Sequence, residues 1–146
     1  MKYYAGFWKR LVAAALDTII VLILYFILAF FIGICFGIFG ISADLLEDSS
    51  FEFIFSVLLV VIYWLYHVVM ESSAKQATLG KQATKIYVTD MNGKRISFAR
   101  AAGRNVIKVV SSLFTFGILV YLVAAFTEKN QALHDIFAGT LVIKDK

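Results

Sequence analysis

Polar and apolar positions in this chain fall into long blocks rather than short alternations. After FWKR at 7–10, the chain stays apolar until Asp44, with one charged interruption at Asp17. Three runs, 11–41, 53–70 and 109–127, approach or exceed the roughly 20 residues a helix needs to cross a bilayer core. The first is longer than a crossing requires, and its excess falls near Gly33, Gly37 and Gly40. A cleaved signal peptide also starts with basic residues and an apolar run. This run is too long for that and carries an acid near its start, so we read an uncleaved helix.

Between the second and third runs the pattern changes. Residues 83–89 are rich in β-branched and aromatic side chains and predict a strand, with a tight hairpin turn at 90–93 in which Asn92 and Gly93 supply positive φ, and a return through 94–96. Ser97 can cap a following helix that carries Arg100, Arg104 and Lys108 on one face, suited to the headgroup interface. In the tail, Gly139 can end a short helix, and 140–143 reads as a second strand whose natural partner is 86–89.

Composition agrees with the blocks. The chain is 61% hydrophobic and 16% aromatic and has no proline, which points to a membrane protein of one domain, residues 1–146. Lys2, Lys9 and Arg10 precede the first run, the 44–52 connection is acidic, and 72–108 holds eight basic residues against Asp90. By the positive-inside rule the N-terminus and the 72–97 loop are cytoplasmic, in a plasma membrane. Topology and anionic headgroups account for the net charge of +4, and nothing supports nucleic-acid binding. With one cysteine, Cys35, and two distant histidines, His67 and His134, we expect no disulfide framework, metal site or cofactor. Gly80-Lys81 lacks the upstream glycine and the following Ser/Thr of a phosphate loop, and no nucleophile–base–acid set is visible, so we expect no enzyme.

These elements set up a conflict. Three full crossings from a cytoplasmic N-terminus would leave the tail outside, whereas pairing 140–143 with 86–89 requires it inside. We resolve it by reading 98–127 as a broken helical hairpin that turns near 111–117.

The polar residues inside the apolar blocks are the functional candidates. Arg10 and Asp17 share a helix face, with Asp17 about ten ångströms deeper along the axis. A carboxylate there costs about 2.5–3.5 kcal/mol on insertion scales and needs a partner or a wet cavity. Its partner could be Arg10, or the hydroxyl of Ser111, Ser112 or Thr115; alternatively it is an ion site whose pKa is raised by burial and lowered by Arg10. Arg10 can also be read as an interfacial base beside Trp8, and Asp135 as a tail residue closing a salt bridge. Tyr63, His67 and Glu71 recur every four residues as a secondary polar stripe, readable as an ion path or as ordinary packing.

Three stretches together resemble the RDD family of small multi-spanning membrane proteins, named for one arginine and two aspartates. They are Tyr4-Ala5-Gly6-Phe7-Trp8-Lys9-Arg10 with Leu16-Asp17, then Ala77-Thr78-Leu79-Gly80-Lys81 leading to Arg100 and Arg104, then Leu133-His134-Asp135 with Ala138-Gly139-Thr140. Leu79 stands where the family often has proline. The resemblance places Arg10, Asp17 and Asp135 at the three naming positions. It implies a transport role, since some members resemble cation/proton antiporters in activity. Neutralisation of Arg10 by Asp135 would also put the tail on the cytoplasmic side.

The fold we expect is an all-α membrane bundle of three hydrophobic helical segments, 11–41, 53–70 and 98–127, with a small cytoplasmic β-hairpin element, a 72–97 loop and a 128–146 tail. The expected function is transport, with Asp17 the cation or proton carboxylate and Arg10, Asp135 its charge network. The alternative is a membrane scaffold or assembly factor. Expected partners are the bilayer, anionic lipid headgroups, a monovalent cation or proton, and a second copy or a partner membrane protein.

Overall fold

The computed structural model describes residues 4–40, 44, 48–114, 123–124 and 127–144, apart from the side chains of 112–114. In order these form α1 (Phe7–Phe39), α2 (Ser49–Ser72), α3 (Leu79–Ala83), β1 (Ile86–Asp90), α4 (Phe98–Phe114), α5 (Leu133–Ala138) and β2 (Thr140–Lys144). The chain is mostly helical, and among the described residues two helices, α1 and α2, are long and apolar enough to cross a membrane. Two such segments stand where three were expected: α4 covers the start of the third and stays helical over 111–114, where the expected turn begins, while 115–117 and most of the continuation lie outside the described residues.

Local chemistry sets the helix ends. The Asp48 carboxylate accepts the backbone N–H of Ser50 at 2.9 Å and of Phe51 at 3.2 Å, which caps the start of α2. Gly40, at φ 63°, follows the last residue of α1 in the left-handed conformation that ends many helices. Ser97 Oγ accepts the Arg100 N–H at 3.2 Å and opens α4 as its sequence predicts.

The chain divides into two compact units. One is Thr18–Tyr63, which holds the later part of α1 and the earlier part of α2. Ring contacts tie the two helices there, Tyr25 to Phe55 at 6.0 Å and Phe36 to Phe51 at 6.1 Å. Its outer side chains are apolar and open, Phe26 at 66% and Phe30 at 67% exposure, a surface that suits a lipid solvent.

The other unit joins Met1–Asp17 to Trp64–Lys146. Its small β element is an antiparallel pair of β1 with β2, in register from Ile86 opposite Lys144 to Asp90 opposite Thr140. Two details of the expected hairpin change. The strand begins at Ile86, because Ala83 closes α3, and Lys94–Ile96 pair with no strand. The turn itself forms, with Asp90 Oδ1 accepting the N–H groups of Asn92 and Lys94, but only Gly93 takes positive φ there.

Both outer edges of the pair are covered. Tyr4 bridges Ile143 and the Ala5 N–H donates to Val142 at 2.9 Å, while Gln76 exchanges hydrogen bonds with Val88 on the far side. The N-terminal segment, the 72–97 loop and the tail therefore meet in one unit. Ala5, Ala13, Val68, Ile86, Val88, Ile96, Ala101 and Val142 make the apolar core of this unit. Beside them lies a group of buried polar side chains.

Candidate functional site

Asp17 is 1% exposed, and its carboxylate is held by neutral donors. The Thr78 hydroxyl donates to Oδ2 at 2.6 Å, while the Gly80 backbone N–H donates to Oδ1 at 2.8 Å and the Tyr66 hydroxyl at 2.9 Å. These donors converge because Thr78 caps α3. Its Oγ also accepts the Lys81 N–H, and of the other N–H groups at the start of that helix Gly80's points at the carboxylate and Leu79's at the Tyr66 hydroxyl. A Cβ on Gly80 would collide with the Ala13 carbonyl oxygen and come within 2.9 Å of the Asp17 carboxylate, so α1 and α3 approach as closely as glycine permits.

Arg10 turns away from Asp17. Its Nη1 donates to Asp135 Oδ2 at 2.5 Å, Nη2 to the Asn130 carbonyl at 2.5 Å, and Nε to the Ala5 carbonyl at 3.0 Å. The pairing of Arg10 with Asp17 considered from sequence is therefore replaced, and Ser112 and Thr115 have side chains outside the described residues. Two physical features put Asp135 in reach. It lies in the first turn of α5, where its Oδ2 also accepts the Ala132 N–H at 3.2 Å, and Gly139 at φ 60° ends that helix directly before β2.

Arg104 joins the two ends of the network. Nη1 donates to Glu71 Oε2 at 2.5 Å, and Nε and Nη2 donate to Asp135 Oδ1 at 2.9 and 2.8 Å. Glu71 also receives the Lys81 ammonium and the Asn105 amide, the latter at 2.8 Å. The expected surface face of Arg100, Arg104 and Lys108 thus splits: Arg100 is exposed, Lys108 half-buried and Arg104 fully buried. Of the polar stripe, Glu71 and His67 are buried and Tyr63 half-buried, with His67 edge-on to Tyr66 at 5.1 Å.

The result is a set of three cations, Arg10 and Arg104 buried and Lys81 partly buried, and three buried carboxylates, Asp17, Glu71 and Asp135. Arg10, Asp17, Lys81, Arg104, Lys108 and His134 line a cavity of about 20 Å³, room for one water-sized group. Burial pushes the Asp135 carboxyl up, but Arg104 and Arg10 outweigh it and hold the group well below the usual carboxylate range. Burial pushes the His134 imidazole down to about 3, against the pull of Asp135 and with help from Arg104, so it is neutral at pH 7. Burial likewise lowers the Lys81 ammonium to about 8, with Glu71 opposing and Arg104 and Lys108 adding to the fall.

Sequence reasoning passed over Thr78, Lys81 and Asn105 as members of this set, and it read Arg104 as a surface base. The available signal was the Thr78-x-Gly80-Lys81 run, which fails as a phosphate loop yet has a capping hydroxyl, a residue without a side chain and a cation in succession.

The RDD family model matches residues 4–139, which include Arg10, Asp17 and Asp135. The chain is 30% identical over 152 residues to the uncharacterized protein YxaI of Bacillus subtilis (strain 168), with 98% of this chain and 99% of that one covered. To the uncharacterized membrane protein YteJ of the same organism it is 28% identical over 151 residues, covering 98% and 82%. To the uncharacterized protein YckC it is 30% identical over 145 residues, covering 94% and 83%. No solved structure matches. A match across nearly the whole chain, on a structure with two apolar helices and the naming residues gathered in one buried network, makes this chain a membrane protein of the RDD family.

Proposed function

We propose that this protein is transport-related and exchanges a monovalent cation for a proton across the plasma membrane, with its N-terminus cytoplasmic. Asp17 is the cation or proton carboxylate in this reading, and Arg10 with Asp135 forms the charge pair that gates it. The observation that carries it is a buried carboxylate, on a helix apolar enough to cross a membrane, bordering a small cavity rich in ionisable groups. A chain with two such helices encloses little volume, so the path is completed by a second copy or a partner membrane protein. The basic loop meets anionic headgroups. No covalent chemistry is assigned to any residue.

A second reading has its own support. The network draws Arg10 and Asp17 from α1, Glu71 from α2, Lys81 from α3, Arg104 from α4 and Asp135 from α5, so it ties together segments far apart in sequence. A membrane scaffold would need no more than that.

Proton flux in sealed liposomes containing purified protein, driven by sodium, lithium or potassium, separates the two. Transport predicts flux with the wild type that vanishes with Asp17→Asn inserted to the same density. Absence of wild-type flux with all three cations, from folded protein, overturns transport. A changed oligomer or lower abundance of Asp17→Asn then favours the scaffold.

A further inference from the structure

Among the buried charges, few can lose or gain a proton without dismantling the network. An arginine guanidinium stays protonated at any physiological pH. Asp135 lies between two guanidinium groups, and Glu71 takes Arg104, Lys81 and Asn105. Asp17 accepts from Thr78, Gly80 and Tyr66, so each carboxylate of the set already has donors in place. Lys81 differs on each count. Its one carboxylate partner is Glu71, and its side chain is 12% exposed, against 3% for Arg10 and 2% for Arg104, so it has a route to water.

We infer that Lys81 is the group in this network that gives up and takes back a proton, and that in the exchange reading, on which this second part rests, it carries the proton that the cation replaces. The groups that face it come from every neighbouring element. Arg10 and Asp17 on α1 and His134 on α5 line its cavity, as do Arg104 and Lys108 on α4, while Glu71 pairs with it from α2, one turn beyond His67. Arg104 and Lys108 repel its charge, and Glu71 holds it. When the proton leaves to solvent, the cavity that Lys81 shares with Arg10, Asp17, Arg104, Lys108 and His134 loses one positive charge. Entry of one monovalent cation replaces it, and on exit of that cation Lys81 takes a proton back from solvent. Because Lys81 follows Gly80 on α3, the change is transmitted to the helix that cradles Asp17.

Competitive amine labelling across a pH series, read by mass spectrometry, measures the Lys81 midpoint in the intact protein in liposomes. A midpoint near 8 is expected; a midpoint at the ordinary lysine value of 10.5 overturns the inference. In the flux assay, Lys81→Arg keeps the positive charge permanently and should reduce coupled proton flux about tenfold or more. Wild-type flux and pH profile in a folded Lys81→Arg protein would overturn the carrier role. If the wild type carries no flux at all, the exchange reading fails, and the labelling midpoint still decides whether Lys81 is the titrating group.

Discussion

Gly80 donates its backbone N–H to the Asp17 carboxylate at 2.8 Å across 63 positions of sequence, and the approach leaves no space for a side chain. Gly80→Ala should therefore destabilise the protein by about 2–4 kcal/mol, from overpacking together with the loss of a hydrogen bond to a charged group. Gly103→Ala on α4 is the control, since a Cβ there meets nothing within 4 Å, and it should be neutral or stabilising. Reversible unfolding in detergent micelles compares the two.

Arg104 holds Glu71 and Asp135 at once. Arg104→Met takes a cation partner from each of two buried carboxylates and should cost about 3–5 kcal/mol in stability. Arg104→Lys should recover only part of that, because one ammonium cannot reproduce a fork that reaches two acceptors. Denaturant midpoints at constant slope would establish the order wild type, Lys, Met; equality of Lys with wild type would contradict the bridge.

Thr78 donates to Asp17 and accepts from the Lys81 N–H through one hydroxyl. Thr78→Ser should retain both bonds and Thr78→Val neither, at a loss of about 1.5–3 kcal/mol. Hydrogen exchange at the Gly80 amide should quicken in the Val variant and stay slow in Ser.

Acid should unfold the protein in a defined order. His134 has a folded pKa of about 3 against an ordinary 6.5, so the unfolded chain binds its proton first and stability falls as pH drops below 6.5. The slope is about 1.4 kcal/mol per pH unit for one proton. Asp135, held below its ordinary 3.8, adds stability that is present above that value and is lost at still lower pH. His134→Gln should flatten the loss between pH 6.5 and 4 and leave the later one. A wild-type stability unchanged between pH 7 and 5 would contradict the buried neutral imidazole.

Much of the fold was legible in the order of residues. α1 begins four residues before the expected 11–41 run and ends at Phe39, α2 extends the 53–70 run at both ends, and Ser97 and Gly139 mark helix ends where their chemistry indicates. The strand pair was legible too, since 86–89 and 140–143 were the β-rich runs that needed partners. The return arm at 94–96 misled, because a turn signal fixes the reversal and says nothing about whether a better partner waits in the tail.

The site was legible by residue type and not by pairing. Block hydrophobicity and a lone acid inside it mark Asp17, because a bilayer or a buried interior penalises an ionic side chain wherever its partner lies. Which donor answers it is a matter of distance in space. Arg10, two turns away on the same helical face, is engaged by a residue 125 positions on, and Asp17 by a backbone N–H and two hydroxyls on α2 and at the start of α3. A backbone donor leaves no trace in side-chain identity, and a buried Arg104 reads like a surface one until α4 packs. The membrane class, the two apolar helices and the identity of the charged residues follow from composition and spacing, because each is a local cost of solvation. The division of those charges into one neutral-donor cradle and one ion-pair chain came only with folding, because it depends on how closely α1, α3, α4 and α5 approach.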